Sequence, residues 1–363
     1  MHELKVAARR PVVHLVSAVL ASLAGASCGG SPTLLAQPPD VEDASTTDAG
    51  AVDSGAVAAS IGAGCGKLLP ANQPATIPGK ATGYLQYTVT GTGATLDGTM
   101  PAKAGPRTFW VRVPADYDPN RKYRVVYIGQ GCGGFNTANT ATYRLYDEAI
   151  GGTEQAIYVA LDIPTDMANQ DCYDNRDGLK SQEWEAFELI HSTVDANYCV
   201  DNDNIMVTGY STGAWLTNMW GCYFAGDGQH PWNGVPGGGA ESSARRFAPR
   251  YHIRAQAGTG GGEPDNNPPC NGPIAAMWFH DMTDNNPIAA DRAALARVLR
   301  MNGCEGSPTK PWHTELASGV CVQYTACPAQ YPVVFCETNL CHTANEENFV
   351  PAVTHFYAEM AAQ

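Results

Sequence analysis

Residues 204–216 read Asn204-Ile205-Met206-Val207-Thr208-Gly209-Tyr210-Ser211-Thr212-Gly213-Ala214-Trp215-Leu216. A short apolar run rich in β-branched residues suits a buried strand. The pentapeptide Gly209 to Gly213 has the spacing G-x-S-x-G, and Ala214-Trp215-Leu216 opens a helical pattern. Its two glycines allow a turn sharp enough to raise the Ser211 hydroxyl above a sheet edge, with the dipole of the following helix beneath it. A bare G-x-S-x-G is weak, because Gly and Ser are common in turns. Strand before and helix after make Ser211 a candidate nucleophile.

Outward from this stretch, further runs have the length and composition of strands: Thr108 to Val113, Tyr123 to Ile128, Ala156 to Ile163, Ile274 to Phe279 and Pro332 to Phe335. Helical spacing appears between several of them. Ser181 to Tyr198 sets Trp184, Phe187, Ile190 and Val194 on one stripe, Ile288 to Met301 repeats Ala, Leu and Val, and Phe349 to Met360 closes the chain. Strands alternating with helices predict an α/β fold, a mostly parallel sheet with helices on both faces.

A nucleophilic serine needs a base to take its proton and an acid to orient that base. After the strand Ala275 to Phe279 comes His280-Asp281-Met282-Thr283-Asp284, which offers Asp284 as the acid and Asp281 as a substitute. After Val333 to Phe335 comes Cys336 to His342, which offers His342 as the base. His191 and His355 fall inside helical patterns and His280 ends a strand, where a structural hydrogen bond is the simpler role; His230, His252 and His313 lie in irregular stretches. Backbone donors for a developing oxyanion are expected from the N–H groups of Thr212 and of Cys132, the latter in the loop Gly129-Gln130-Gly131-Cys132-Gly133-Gly134 after a strand.

The N-terminal end has a different character. Lys5, Arg9 and Arg10 precede an apolar run from Pro11 to Leu23, then small residues lead to Cys28, the order of an export signal over residues 1–28. Leu23-Ala24-Gly25-Ala26-Ser27-Cys28 resembles a lipoprotein box with Cys28 as the lipidation site, although Gly25 stands where Leu is usual, so cleavage near Ala26 stays open. Either way the chain is expected to be exported, as a cell-surface lipoprotein or a secreted protein. Residues 29–64 are acidic and poor in large apolar side chains, and read as a disordered tether. Residues 65–363 suit one large domain, with 44% of the whole chain hydrophobic.

Formal net charge is −14 and no basic patch interleaved with aromatics appears, which excludes nucleic acid as an expected partner and disfavours a polyanionic substrate. Twelve cysteines in an exported chain are expected to pair as disulfides. The crowd from Cys304 to Cys341 lacks the paired short-gap knuckles of a structural zinc site, so no metal and no cofactor are expected.

From about Arg107 to Met360 the chain resembles the feruloyl esterase and polyhydroxybutyrate depolymerase-like esterases of the α/β-hydrolase superfamily. The likeness is carried by Asp118-Pro119-Asn120-Arg121-Lys122-Tyr123 with Gly131-Cys132-Gly133-Gly134, by Gly209 to Gly213, and by His280 to Asp284. Asn302-Gly303-Cys304, Cys327, Tyr331 to Cys336 and His342 complete it. The resemblance implies ester hydrolysis by a serine triad of Ser211, Asp284 and His342, without a metal. Plant cell-wall feruloyl esters are the favoured substrate and a polyester the alternative, so the partner would be an ester, polymeric or not. The chain departs from the family at Gln130, where His is usual, and at Asp281, where Gly is usual. Gln130 motivates a third reading, a binding lipoprotein whose hydrolase site has decayed.

Overall fold

A computed structural model describes residues 62–69, 85–91, 105–114, 116–132, 156–163, 172–173, 180–226, 251–262, 270–284, 288–315, 320–339, 342 and 346–362. The strands, in chain order, are β1 Leu85–Val89, β2 Arg107–Arg112, β3 Tyr123–Gly129, β4 Ala156–Leu161, β5 Val200–Tyr210, β6 Ile253–Thr259, β7 Ala275–Asp281, β8 Thr309–Pro311, β9 Val320–Tyr324 and β10 Val333–Thr338. The helices among the described residues are α1 Lys180–Asn197, α2 Thr212–Tyr223, α3 Ile288–Met301 and α4 Glu346–Ala361.

The described strands join one sheet in the order β1-β2-β4-β3-β5-β6-β7-β10-β9-β8. The pairs β4–β3, β3–β5, β5–β6, β6–β7 and β7–β10 are parallel. Both edges are antiparallel, through β1–β2 and β2–β4 on one side and β10–β9 and β9–β8 on the other. This is the α/β-hydrolase architecture: a parallel centre with a reversed strand at its start, and a strand-to-helix turn between β5 and α2.

The central strands are buried on both faces, and their side chains divide between two cores with the period of two that pleating imposes. Tyr123, Val125 and Tyr127 of β3, Ile205 and Val207 of β5, and Ala276 and Trp278 of β7 meet Phe187, Leu216, Trp220 and Val298 from α1, α2 and α3. Val126, Ile128, Met206, Met277 and Phe279 face the other way, onto Phe349, Val353, Phe356 and Met360 of α4. Helices therefore cover both faces, as the alternation of patterns predicts.

Among the described residues five disulfides join Cys65 to Cys199, Cys132 to Cys172, Cys222 to Cys270, Cys304 to Cys327 and Cys321 to Cys336. Cys28 and Cys341 lie outside the described residues, as do the expected export signal and nearly all of the expected tether. Among the described residues no helix is long and apolar enough to cross a membrane.

Candidate active site

β5 ends at Tyr210 and α2 begins at Thr212, so the direction of the chain reverses on Ser211 alone. Ser211 has φ 56 and ψ −122, a region that non-glycine residues seldom occupy and that costs on the order of 1–3 kcal/mol. The surroundings hold it there. Its N–H donates to the Thr259 carbonyl at 2.9 Å, and its own carbonyl accepts from the amides of Ala214 and Trp215. Serine at a helix N-cap ordinarily spends its hydroxyl on the first-turn amides. Here the side chain makes no capping bond, which leaves Oγ for another partner.

That partner is His342. Its Nε2 lies 3.1 Å from Ser211 Oγ, and its Nδ1 lies 2.7 Å from Asp284 Oδ2. The Asp284 side chain is wholly shielded, 0% exposed, whereas His342 keeps 29% of its surface. A shielded carboxylate behind a partly exposed imidazole directs the ring toward Oγ, and Ser211 is itself partly exposed.

The sheet register explains how three residues so far apart in sequence meet. Tyr210, Thr259, Phe279 and Cys336 form one row across β5, β6, β7 and β10. Ser211, Asp284 and His342 follow that row just beyond the ends of β5, β7 and β10, at the C-terminal edge of the parallel sheet. This is where open α/β sheets place their crevices.

Of the two acids the sequence offered, Asp281 has a different task. Its Oδ1 accepts from the Thr283 amide at 2.9 Å and the Thr283 hydroxyl at 2.6 Å, and its Oδ2 accepts from the Thr338 hydroxyl at 3.2 Å. With the Met282 amide bonded to the Thr338 carbonyl, Asp281 fastens the turn that carries Asp284 to the end of β10. His280, also in β7, is buried and bonded through Nδ1 to Asp291 of α3. His191 is buried between the Tyr127 hydroxyl and Asn202. Both are the structural histidines their positions suggested.

The two expected oxyanion donors are tied together. Thr212 is fully buried and opens α2, where the first amides have no carbonyl one turn back to bond. Its Oγ1 accepts from the Tyr173 amide at 3.1 Å, and the adjacent Cys172 is joined to Cys132. The loop after β3 is thus held against the head of α2 through residues 172 and 173. Gln130, one of the two departures, is buried, and its amide donates to the Leu161 carbonyl at 2.9 Å while its backbone N–H meets the Tyr173 hydroxyl at 3.4 Å. It anchors the loop and is not directed at Ser211.

Some contributors escaped the sequence reading. The Tyr210 hydroxyl donates to the His342 carbonyl at 3.2 Å and its ring lies 5.2 Å from the imidazole. Burial first, and the Asp284 charge second, push its phenol up to about 12, so it remains a proton donor that steadies the His342 segment. At Gly261 a Cβ would fall 2.1 Å from the Ser211 carbonyl oxygen. The run Gly260-Gly261-Gly262 after an unrecognised strand was the signal for this close approach.

No protein-family model matches the chain, and neither does any curated protein. Among solved structures it is similar to the feruloyl esterase module of Clostridium thermocellum, with 13% identity, TM-score 0.43, and coverage of 77% of this chain and 87% of that one. The ferulic acid esterase of Anaeromyces mucronatus has 16% identity, TM-score 0.41 and coverage of 76% and 92%. A thermophilic esterase of Thermogutta terrifontis has 14% identity, TM-score 0.42 and coverage of 75% and 92%.

Proposed function

We propose that this chain is a serine carboxylic-ester hydrolase that works through an acyl-enzyme, with plant cell-wall feruloyl esters as its favoured substrate. The observation that carries the reading is the unbroken chain Ser211 Oγ, His342 imidazole, Asp284 carboxylate at 3.1 and 2.7 Å, with the serine on a strained turn whose hydroxyl is not used for capping. The feruloyl preference rests on the sequence resemblance of the stretches from Asp118 to His342.

In this reading Ser211 Oγ attacks the ester carbonyl carbon while its proton passes to His342 Nε2. Asp284 holds the ring by its Nδ1–H and stabilises the imidazolium. The carbonyl oxygen, now an oxyanion, receives the N–H groups of Thr212 and Cys132. The tetrahedral intermediate expels the alcohol, which takes the proton from His342. Water then attacks the acyl-enzyme with His342 again as base, and the acid departs with Ser211 restored.

Export belongs to the same proposal. The five disulfides among the described residues favour an oxidising compartment, consistent with the signal expected in residues 1–28. Palmitate labelling that disappears in Cys28→Ala supports the lipoprotein form, and its absence in wild type supports plain secretion.

The deciding experiment is hydrolysis of methyl ferulate by the disulfide-intact protein, with Ser211→Ala as the control and a fluorophosphonate probe in parallel. Serine-dependent release of ferulate with labelling of wild type alone is the expected result. Labelling without ferulate release moves the substrate to another ester, a polyester first. Folded wild type that neither labels nor hydrolyses any ester overturns the enzyme reading in favour of a binding protein.

A further inference from the structure

A second cluster of chemically active side chains lies on the α4 face of the molecule. Trp312 follows β8, is buried, and bonds through its amide to the Cys321 carbonyl at 2.9 Å, which fixes the segment leaving the sheet edge. The next residue, His313, has φ 36, a left-handed backbone unusual outside glycine. Its ring meets His355 and Glu359, which stand four residues apart and so share one face of α4.

The three groups converge through single atoms. His313 Nε2 lies 3.0 Å from Glu359 Oε1 and 3.1 Å from His355 Nε2, and His355 Nε2 lies 3.5 Å from Glu359 Oε1. Zinc held tetrahedrally at 2.0–2.1 Å sets its ligand atoms about 3.3 Å apart, so this triangle has the size of one face of such a site. The far side of His313 is also engaged, with Nδ1 2.8 Å from the Glu315 carboxylate. A neutral imidazole that donates from Nδ1 presents a lone pair at Nε2. In that tautomer the lone pair faces a carboxylate oxygen and a second imidazole nitrogen, an arrangement that a cation held among the three atoms would satisfy. A ring with carboxylate on one nitrogen and metal on the other is the usual support for a histidine ligand.

The geometry points to a binding site for a divalent first-row cation of the zinc type, with His313, His355 and Glu359 as ligands, Glu315 as the orienting carboxylate and water in the open fourth position. The side chains of His313, His355 and Glu359 are 30%, 41% and 37% exposed, so the site opens to solvent and its ligands can be replaced without disturbing the core. Two imidazoles with one carboxylate suit zinc rather than calcium or magnesium, which take oxygen ligands. Such an ion would clip the C-terminal half of α4 to the segment between β8 and β9. The sequence weighed a metal only at the crowded cysteines and expected none there; Cys304, Cys321, Cys327 and Cys336 of that crowd are joined in disulfides, whereas the histidines and glutamate come together only through folding.

Calorimetric titration of chelator-stripped full-length protein with zinc tests the site, alongside His355→Ala, Glu359→Gln, Glu315→Gln and the control Glu347→Gln from the exposed face of α4. We expect one ion per chain and a higher melting temperature with zinc. His355→Ala and Glu359→Gln are expected to weaken affinity by about 100-fold or more, Glu315→Gln by about 10-fold, and Glu347→Gln not at all. Circular dichroism checks that each variant is folded. Folded wild type that binds no zinc, or binding equally tight in His355→Ala and Glu359→Gln, overturns the assignment.

Discussion

At the scale of single residues, the site depends on side chains released from ordinary duties or confined to one. Ser211 sits where a serine would cap a helix, yet its hydroxyl turns to His342. Ser211→Ala is therefore expected to lower kcat/KM by about 10⁴-fold or more without lowering the melting temperature. The two carboxylates of the acid turn separate by the same assay. Asp284→Asn removes the partner of His342 Nδ1 and is expected to reduce kcat by about 10³–10⁴-fold, whereas Asp281→Asn loosens a turn and shows first in thermal stability. Asp162 provides a pH-dependent prediction. Burial pushes its carboxyl from the ordinary 3.8 up to about 6, so between those values the folded chain holds a proton that the unfolded chain has lost. Stability associated with Asp162 is then complete below pH 3.8 and declines as pH rises to about 6. Asp162→Asn should melt higher than wild type at pH 7, with the difference closing as pH falls toward 4; a difference that grows on acidification would contradict this.

At the scale of elements, the elbow requires β3, β5, β6 and α2 to approach more closely than side chains allow. A Cβ on Gly213 would fall 2.3 Å from the Gly129 carbonyl group, and one on Gly258 would fall 3.1 Å from the Ala214 Cβ. Gly213→Ala has to push α2 off β3, with an expected cost of about 2–3 kcal/mol in denaturant unfolding and loss of ester turnover. The same packing explains why β6, Ile-Arg-Ala-Gln-Ala-Gly-Thr, was missed: its small residues serve the helix above it and lack the β-branched look of a strand. β5 is also longer than its apolar run suggests, because polar Asp201 to Asn204 extend it to Val200. α3 is joined to the sheet by the buried His280–Asp291 bond, where burial raises the Asp291 carboxyl although His280 draws it down. Asp291→Ala leaves a buried imidazole without its partner and is expected to cost on the order of 3 kcal/mol.

At the scale of the whole molecule, Cys65–Cys199 and Cys132–Cys172 link regions that the sheet alone does not hold. Cys65–Cys199 ties the N-terminal stretch to the end of α1 over a sequence separation of 134, and Gly64 is packed so closely on Tyr198 that a Cβ there would lie 2.3 Å from its amide nitrogen. Replacing both cysteines by serine is expected to cost about 2–4 kcal/mol, read as a lower melting temperature, with the triad hydrogen bonds unaffected. Cys132–Cys172 acts nearer the chemistry, since it holds the loop after β3 against Thr212. Its removal should lower kcat more than it lowers stability.

What the sequence by itself determined is what short-range physics controls. Short apolar runs marked most of the buried strands and a period of 3.6 marked the helices, and the strand, G-x-S-x-G, helix succession specified one turn whose sterics admit little else. The chain order of Ser211, Asp284 and His342 was legible because each follows an apolar strand. Only the tertiary structure decided which acid faces His342, since Asp281 and Asp284 share one turn and their roles depend on the register of β7 against β10. Only it paired the cysteines, formed β6, and brought His313 to His355 and Glu359. These are contacts between residues distant in sequence, set by how strands align and where helices land, and no local pattern along the chain encodes that distance.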